Sequence, residues 1–259
     1  MTEVFTTRSR GLVGGPRPTW FPARLVGLRS ETRTARTLTF DVPGWPGHQA
    51  GQHVDVRLTA EDGYSAQRAY SISAPEDGER VSLTVQEVGD GEVSTYLVQG
   101  MELGDELELR GPIGGWFVWA PSPEAPVEQP VLLVGGGSGV VPLMAMVRQR
   151  RLSGSRAPFR LVYSVRDPAQ VMYAEELAQR AADDGVEVDL LYTRTAPEGF
   201  TRPAGRITAD DLATPDGWVD QPKPRAYVCG PTGFVEHVIG RLLELGYTNR
   251  TIRAERFGA

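Results

Sequence analysis

Apolar and polar positions alternate in short runs over the first 120 residues, the period of strands with one buried face. Ala23–Leu28, Thr37–Val42, His53–Leu58, Arg68–Ser73, Val81–Val88 and Asp105–Leu109 each fit this pattern. Turn-forming pairs stand between them: Pro43-Gly44, Asp62-Gly63, Asp77-Gly78 and Gly104-Asp105. Strands this short and closely spaced predict a small antiparallel barrel of six strands. A brief helix is expected over Val93–Val98, with Gly100 just past its end.

The texture changes after Ala120–Pro130, a stretch with four prolines and no periodicity. Beyond it strands alternate with helices. Val131–Val134, Arg160–Val165, Glu187–Tyr192 and Ala226–Cys229 read as strands, and Val140–Arg151, Tyr173–Ala182 and Phe234–Leu245 as helices. That rhythm predicts a parallel sheet covered on both faces. The expected division is a flexible lead-in over 1–19, a barrel over 20–120, a linker over 121–130 and an α/β unit over 131–259.

Composition narrows the possibilities. With 259 residues, 40% hydrophobic and 23% charged, the chain can bury a core. No run approaches the roughly 18 apolar residues of a membrane span, and the N-terminus shows no secretory apolar segment. A cytoplasmic location is the default expectation. Cys229 is the single cysteine, which excludes an internal disulfide and a cysteine-held iron–sulfur cluster. His48, His53 and His237 show no metal-ligand spacing. Lys223 is the only lysine, so anion binding falls to arginine. Net charge is −6: residues 1–125 carry 11 arginines against 17 acids, and the remainder 16 cations against 16 acids. Neither half has the basic surplus of a nucleic-acid binder.

Chemistry concentrates at a few places. Val131–Val134 runs into Gly135-Gly136-Gly137-Ser138-Gly139 and then a helix containing Pro142. Glycines allow close backbone approach to an anion, and the helix opening offers unpaired N–H groups, so a diphosphate is the natural ligand. The spacing departs from G-x-G-x-x-G, because Val140 stands where its last glycine would be. Where a site for NAD usually carries an acid, the second strand ends in Ser164-Val165-Arg166 and the third in Thr193-Arg194. Guanidinium suits a 2′-phosphate and points to NADPH; a solvated role for both arginines leaves NADH open. On the barrel side, alternation sends Arg68, Tyr70 and Ile72 to one face and Ser71 and Ser73 to the other, and Gly91-Glu92-Val93-Ser94-Thr95 opens a short helix.

Arg68–Ser73, Gly91–Thr95, Gly111-Pro112-Ile113-Gly114, Gly135–Pro142, Cys229-Gly230-Pro231 and Glu255-Arg256-Phe257-Gly258 occur in the order of the ferredoxin–NADP reductase superfamily, which the chain resembles over about residues 20–259. R-x-Y-S matches at Arg68, Tyr70 and Ser71, with Ser73 following two residues on, and C-G-P at Cys229, Gly230 and Pro231. The resemblance implies a flavin-binding barrel followed by a parallel-sheet nucleotide domain. It further implies FAD rather than FMN, with NADPH or NADH as reductant.

Residue by residue, the resemblance places Arg68 at the flavin diphosphate, Tyr70 against the isoalloxazine, and Ser71 near the atom that accepts hydride. Val93, Ser94 and Thr95 would complete the flavin diphosphate cradle. Gly136, Gly137, Ser138 and Gly139 would hold the nucleotide diphosphate. Cys229 would face the nicotinamide, although a lone cysteine ending a strand is often just a core residue. The ending resembles the oxygenase-reductase and flavohaemoglobin branches, whose tail folds back over the flavin, putting Glu255 near the nicotinamide and Phe257 near the flavin. With no cluster-binding cysteines, electrons would pass from flavin to a separate acceptor, a ferredoxin or an oxygenase component. Arg24, Arg29, Arg33 and Arg36 could dock an acidic partner or form a solvated face. A reductase of free flavin or a small oxidant, and a non-catalytic nucleotide-binding electron-transfer or sensor subunit, are the alternatives.

Overall fold

Alternation puts every second side chain of the first half on one face, and a face so patterned is buried by curling the sheet onto itself. The computed structural model describes residues 19–60, 62–121, 129–183, 186–215, 218 and 223–258. Expectations for the lead-in over 1–18 and for 122–128 of the linker lie outside the described residues. The strands are β1 (Trp20–Thr32), β2 (Ala35–Asp41), β3 (His53–Thr59), β4 (Ser65–Ser71), β5 (Arg80–Gln86) and β6 (Glu106–Ile113). They form one six-stranded sheet in the order β4-β3-β6-β1-β2-β5, antiparallel throughout. A bridge between Ile72 and Leu83 joins the two ends. Leu25, Leu38, Phe40, Val54, Val56, Ile72, Leu83 and Leu109 fill the interior. Each such side chain contributes roughly 1.5–3 kcal/mol by leaving water.

The short helix differs from expectation. Here α1 (Glu92–Thr95) passes directly into a π-helical turn, Tyr96–Gly100. The wider turn brings Leu97 and Val98 onto the barrel core.

The second half forms β7 (Val131–Gly136), β8 (Phe159–Val165), β9 (Glu187–Tyr192), β10 (Arg225–Pro231) and β11 (Ile252–Phe257), with α2 (Val140–Leu152), α3 (Ala174–Asp183) and α4 (Thr232–Glu244). The sheet order is β11-β10-β7-β8-β9 and every pairing is parallel. β7 is buried along its whole length, as a central strand covered on both faces must be. Helices α2 and α3 share a core with one face, and α4 with the other. The chain builds outward from β7 to β9, then crosses back to β10, so the order reverses between β7 and β10. Open α/β sheets bind ligands at that crevice, outside the strand C-termini.

The C-terminal residues form an edge strand that the sequence pattern did not predict. Residues Ile252–Phe257 are an edge strand bonded to β10. An edge strand needs one partner and tolerates the charged residues that obscured it in the sequence.

The two units share a wall. Phe117 meets Tyr227 edge-on at 5.4 Å between ring centres, and Trp119 meets Phe159 at 5.0 Å. The Tyr227 hydroxyl donates to the Val118 carbonyl at 2.9 Å. Among the described residues no helix is long and apolar enough to cross a membrane, and no cluster of metal-ligating side chains occurs.

Candidate functional site: a cleft between barrel and parallel sheet

β7 leads through Gly135 and Gly136 into a single 3-10 turn, Gly137–Gly139, and then into α2. This turn can exist only with glycine. A Cβ on Gly139 would lie 2.0 Å from the Cys229 carbonyl oxygen, so the turn settles directly against the end of β10. Phe234, in the first turn of α4, makes the neighbouring contact: its ring would lie 2.7 Å from a Cβ on either Gly136 or Gly230. The sequence placed Phe234 only on an amphipathic face; its partner Gly136 is distant in the chain. Pro142 sits in the first turn of α2, where a missing N–H costs nothing.

These features fit a diphosphate. The opening of α2 has neither a side-chain cap nor an acidic residue in its first turn. Gly137 takes a left-handed φ of 55°, and around it the nearest foreign atom is Gln86 Oε1, 3.8 Å from where a Cβ would stand. Gln86 is the last residue of barrel strand β5, and its amide also donates to Gln170 Oε1 at 3.4 Å. The barrel therefore reaches the glycine turn. Gln86 escaped the sequence reading because a strand-end glutamine carries no signal of its own.

On the β8–β9 side, Ser164 is buried while Arg166 and Arg194 are exposed. The Arg194 N–H donates to the Arg166 carbonyl at 2.9 Å, which makes the two arginines neighbours. Asp167, the adjacent acid, accepts from Ala169 N–H at 3.0 Å and caps the following turn. Two cations thus flank this rim beside a carboxylate already engaged.

On the barrel, Arg68 and Tyr70 lie on one face of β4, paired with Val56 and Val54 of β3. Arg68 is exposed and donates to the Gln67 carbonyl at 2.7 Å. Tyr70 is half-buried against the barrel core. Burial pushes its hydroxyl up to about 12, with the Arg68 charge acting in the opposite direction. The phenol is therefore a neutral donor. Ser71 ends β4 opposite His53. Ser73 is fully buried, and its hydroxyl has no partner among the described residues.

The α1 segment is less open. Val93 packs in the barrel core. The Ser94 hydroxyl accepts from Val88 N–H at 3.2 Å and donates to the Gly91 carbonyl at 3.0 Å. Thr95 donates to Glu87 at 3.3 Å. These side chains brace the turn, so an anion here would meet the uncapped backbone N–H groups, with Glu92 close by.

At the end of β10, Cys229 is a free thiol, 1% exposed. Its register partner on β11 is Glu255, and Pro231 is paired with Phe257 in the same register. Burial, with a smaller contribution from the Glu255 charge, holds the thiol well above its ordinary value. Burial also raises the Glu255 carboxyl to about 7. A carboxyl poised near neutrality beside an uncharged thiol is chemically unlike a surface pair.

Comparison with known proteins agrees with this geometry. Residues 22–118 match the family described as oxidoreductase FAD-binding domain, and residues 133–239 the oxidoreductase NAD-binding domain. The chain is 31% identical over 224 residues to NADH oxidoreductase HCR of Escherichia coli strain K12, covering 85% of this chain and 63% of that protein. It is 28% identical over 244 residues to the naphthalene 1,2-dioxygenase system ferredoxin–NAD(P)(+) reductase component of Pseudomonas putida, covering 91% and 70%. Its fold matches the flavohem-like FAD/NAD-binding domain of nitric oxide dioxygenase from Vibrio cholerae O1 biovar El Tor with a TM-score of 0.81 at 24% identity, over 92% and 99% of the two chains. The chain spans between 52% and 70% of the length of such relatives. It belongs to the ferredoxin–NADP reductase superfamily, with an FAD-binding barrel followed by an NAD-binding domain.

Proposed function

We propose that this superfamily member is an NAD(P)H-dependent flavoprotein reductase that delivers electrons to a separate redox acceptor. One observation carries the reading: Gln86 of the barrel stands against the glycine turn at the β7–β10 crevice, so the barrel meets the parallel-sheet unit where a nucleotide would bind. Held by Arg68 and Tyr70, a bound FAD would supply the capacity to accept a hydride from a nicotinamide and to release the two electrons one at a time.

The chain's own residues bind, orient and exclude water. Arg68 and Tyr70 hold the flavin, one as a cation for the diphosphate and the other as a neutral hydroxyl donor. Gly136, Gly137, Ser138 and Gly139 present the α2 opening to the nucleotide diphosphate. Arg166 and Arg194 read the 2′-phosphate, so the preferred reductant is NADPH. Cys229 and Gly230 form a small, uncharged floor for the nicotinamide. Ser71 lines the flavin's reacting edge. Phe257 continues that floor from the end of β11, and Glu255 holds a proton that can be exchanged near neutral pH.

The acceptor is a one-electron protein such as a ferredoxin or an oxygenase component, as the name of the Pseudomonas putida relative suggests. Of the arginines expected to dock it, Arg29 is neutralised by Glu31 at 2.7 Å and Arg36 leans on the Met101 carbonyl at 3.5 Å. Arg24 and Arg33 remain exposed. The test is purification followed by an acceptor screen under anaerobic conditions. A yellow protein with one tightly held FAD and NADPH-driven reduction of ferredoxin or cytochrome c supports the reading. Turnover only with added free flavin contradicts it.

A further inference from the structure

We propose that Arg148 is a positioning residue for hydride transfer, tying the helix that opens at the nucleotide turn to the chain that leaves the flavin-side strand. This rests on the reductase reading above. Arg148 lies in α2, the helix that begins immediately after Gly139. Its Nη1 donates to the backbone carbonyl of Ser73, two residues past Ser71. Its Nε donates to Glu176 Oε1 of α3 at 3.0 Å, and its Nη2 donates to the other carboxylate oxygen. A fork gripped on two sides by a carboxylate has little freedom left, so the direction of its third bond is fixed.

The surroundings reinforce that tie. The Tyr173 ring lies 4.8 Å beneath the Arg148 guanidinium. Tyr173 itself holds a left-handed φ of 58°, unfavourable for a tyrosine, and its N–H donates across the seam to Glu31 Oε2 of the barrel at 3.2 Å. Glu31 is in turn fixed by Thr37 at 2.6 Å and Arg29 at 2.9 Å. Two polar links, Arg148–Ser73 and Tyr173–Glu31, thus cross between the units at one place. A cavity of about 450 Å³ adjoins them, lined by Arg29, Ser73, Ser82, Arg148 and Glu175 among others.

Sequence gives no hint of this, since Arg148 is one of 26 arginines and lies on a helix otherwise read for its apolar side. Its consequence is geometric. Displacing a reacting centre by about 1 Å can cost on the order of 100-fold in rate. Loosening the link between α2 and Ser73 shifts the nucleotide relative to the flavin without removing any group that binds either one.

The test uses FAD-loaded wild-type protein with Arg148→Ala and Arg148→Lys, mixed anaerobically with NADPH and with NADH. Expected for Arg148→Ala are a full flavin complement and a KM within about threefold of wild type. Bleaching at saturating nucleotide should slow by about 10-fold or more, with loss of the long-wavelength absorbance that reports ring stacking. Arg148→Lys, which keeps a donor for the Ser73 carbonyl, should recover part of both signals. Wild-type bleaching and stacking absorbance in Arg148→Ala overturn the proposal. So does parallel loss of flavin, KM and rate with no rescue by lysine, which marks a merely structural role. A wild-type protein that neither nucleotide bleaches defeats the reductase reading, and this inference with it.

Discussion

Cys229 and Glu255 face each other in register across the β10–β11 pair, and both ionise far less readily than they would in water. Burial is the leading cause for each. The thiol is therefore neutral at physiological pH, and no nucleophilic role follows from it. Cys229→Ser should leave NADPH-driven flavin bleaching within about tenfold of wild type, the range of a small packing change. Iodoacetamide should label the native protein far more slowly than the urea-unfolded chain.

Glu255 carries a pH prediction whose sign is fixed. Its carboxyl rises from 4.5 to about 7 on folding, so the native state holds the proton more tightly than the unfolded chain. Its contribution to stability is greatest below 4.5 and is lost as pH rises to about 7. Against Glu255→Gln, wild type should lose relative stability across that window and level off above it. Urea melts from pH 4.5 to 8 check this; parallel curves for the two proteins would remove the argument. The rate of flavin bleaching should change with pH near 7 in wild type and lose that inflection in the variant.

Gly139→Ala places a methyl group where the Cys229 carbonyl oxygen is 2.0 Å away. Backbone cannot retreat cheaply, and overpacking of this kind costs about 1–3 kcal/mol. The turn should shift, raising the KM for NADPH while the barrel keeps its FAD. Flavin absorbance and nucleotide titration separate the two effects.

Arg166→Ala and Arg194→Ala should each weaken NADPH use by about 10- to 100-fold, the value of a charge-assisted hydrogen bond, and leave NADH nearly unchanged. Equal losses with both nucleotides would show that neither arginine reads the 2′-phosphate. On the barrel, Arg68→Ala should purify without colour at unchanged folding, as far-ultraviolet circular dichroism would report.

Much of the fold was legible because its signals are local. Alternation and turn pairs located β1 to β6 to within a few residues, and the apolar run into glycines located β7 and α2. β11 was hidden because Arg253, Glu255 and Arg256 break its apolar pattern, and an edge strand does not require one. The residues proposed for the site stand out in the sequence as motifs, while their couplings do not. Nothing local to Phe234 announces that it covers Gly136, and nothing local to Gln86 announces the glycine turn. The poise of Glu255 near neutrality depends on burial that only the folded chain supplies.

The central claim is that one cleft brings a nicotinamide and a flavin together. Anaerobic titration of the FAD-loaded protein with NADPH, followed by absorbance across the flavin band, tests it most directly. The account predicts stoichiometric bleaching, reversed when ferredoxin or cytochrome c is added. An unchanged flavin spectrum at saturating NADPH and NADH would contradict it.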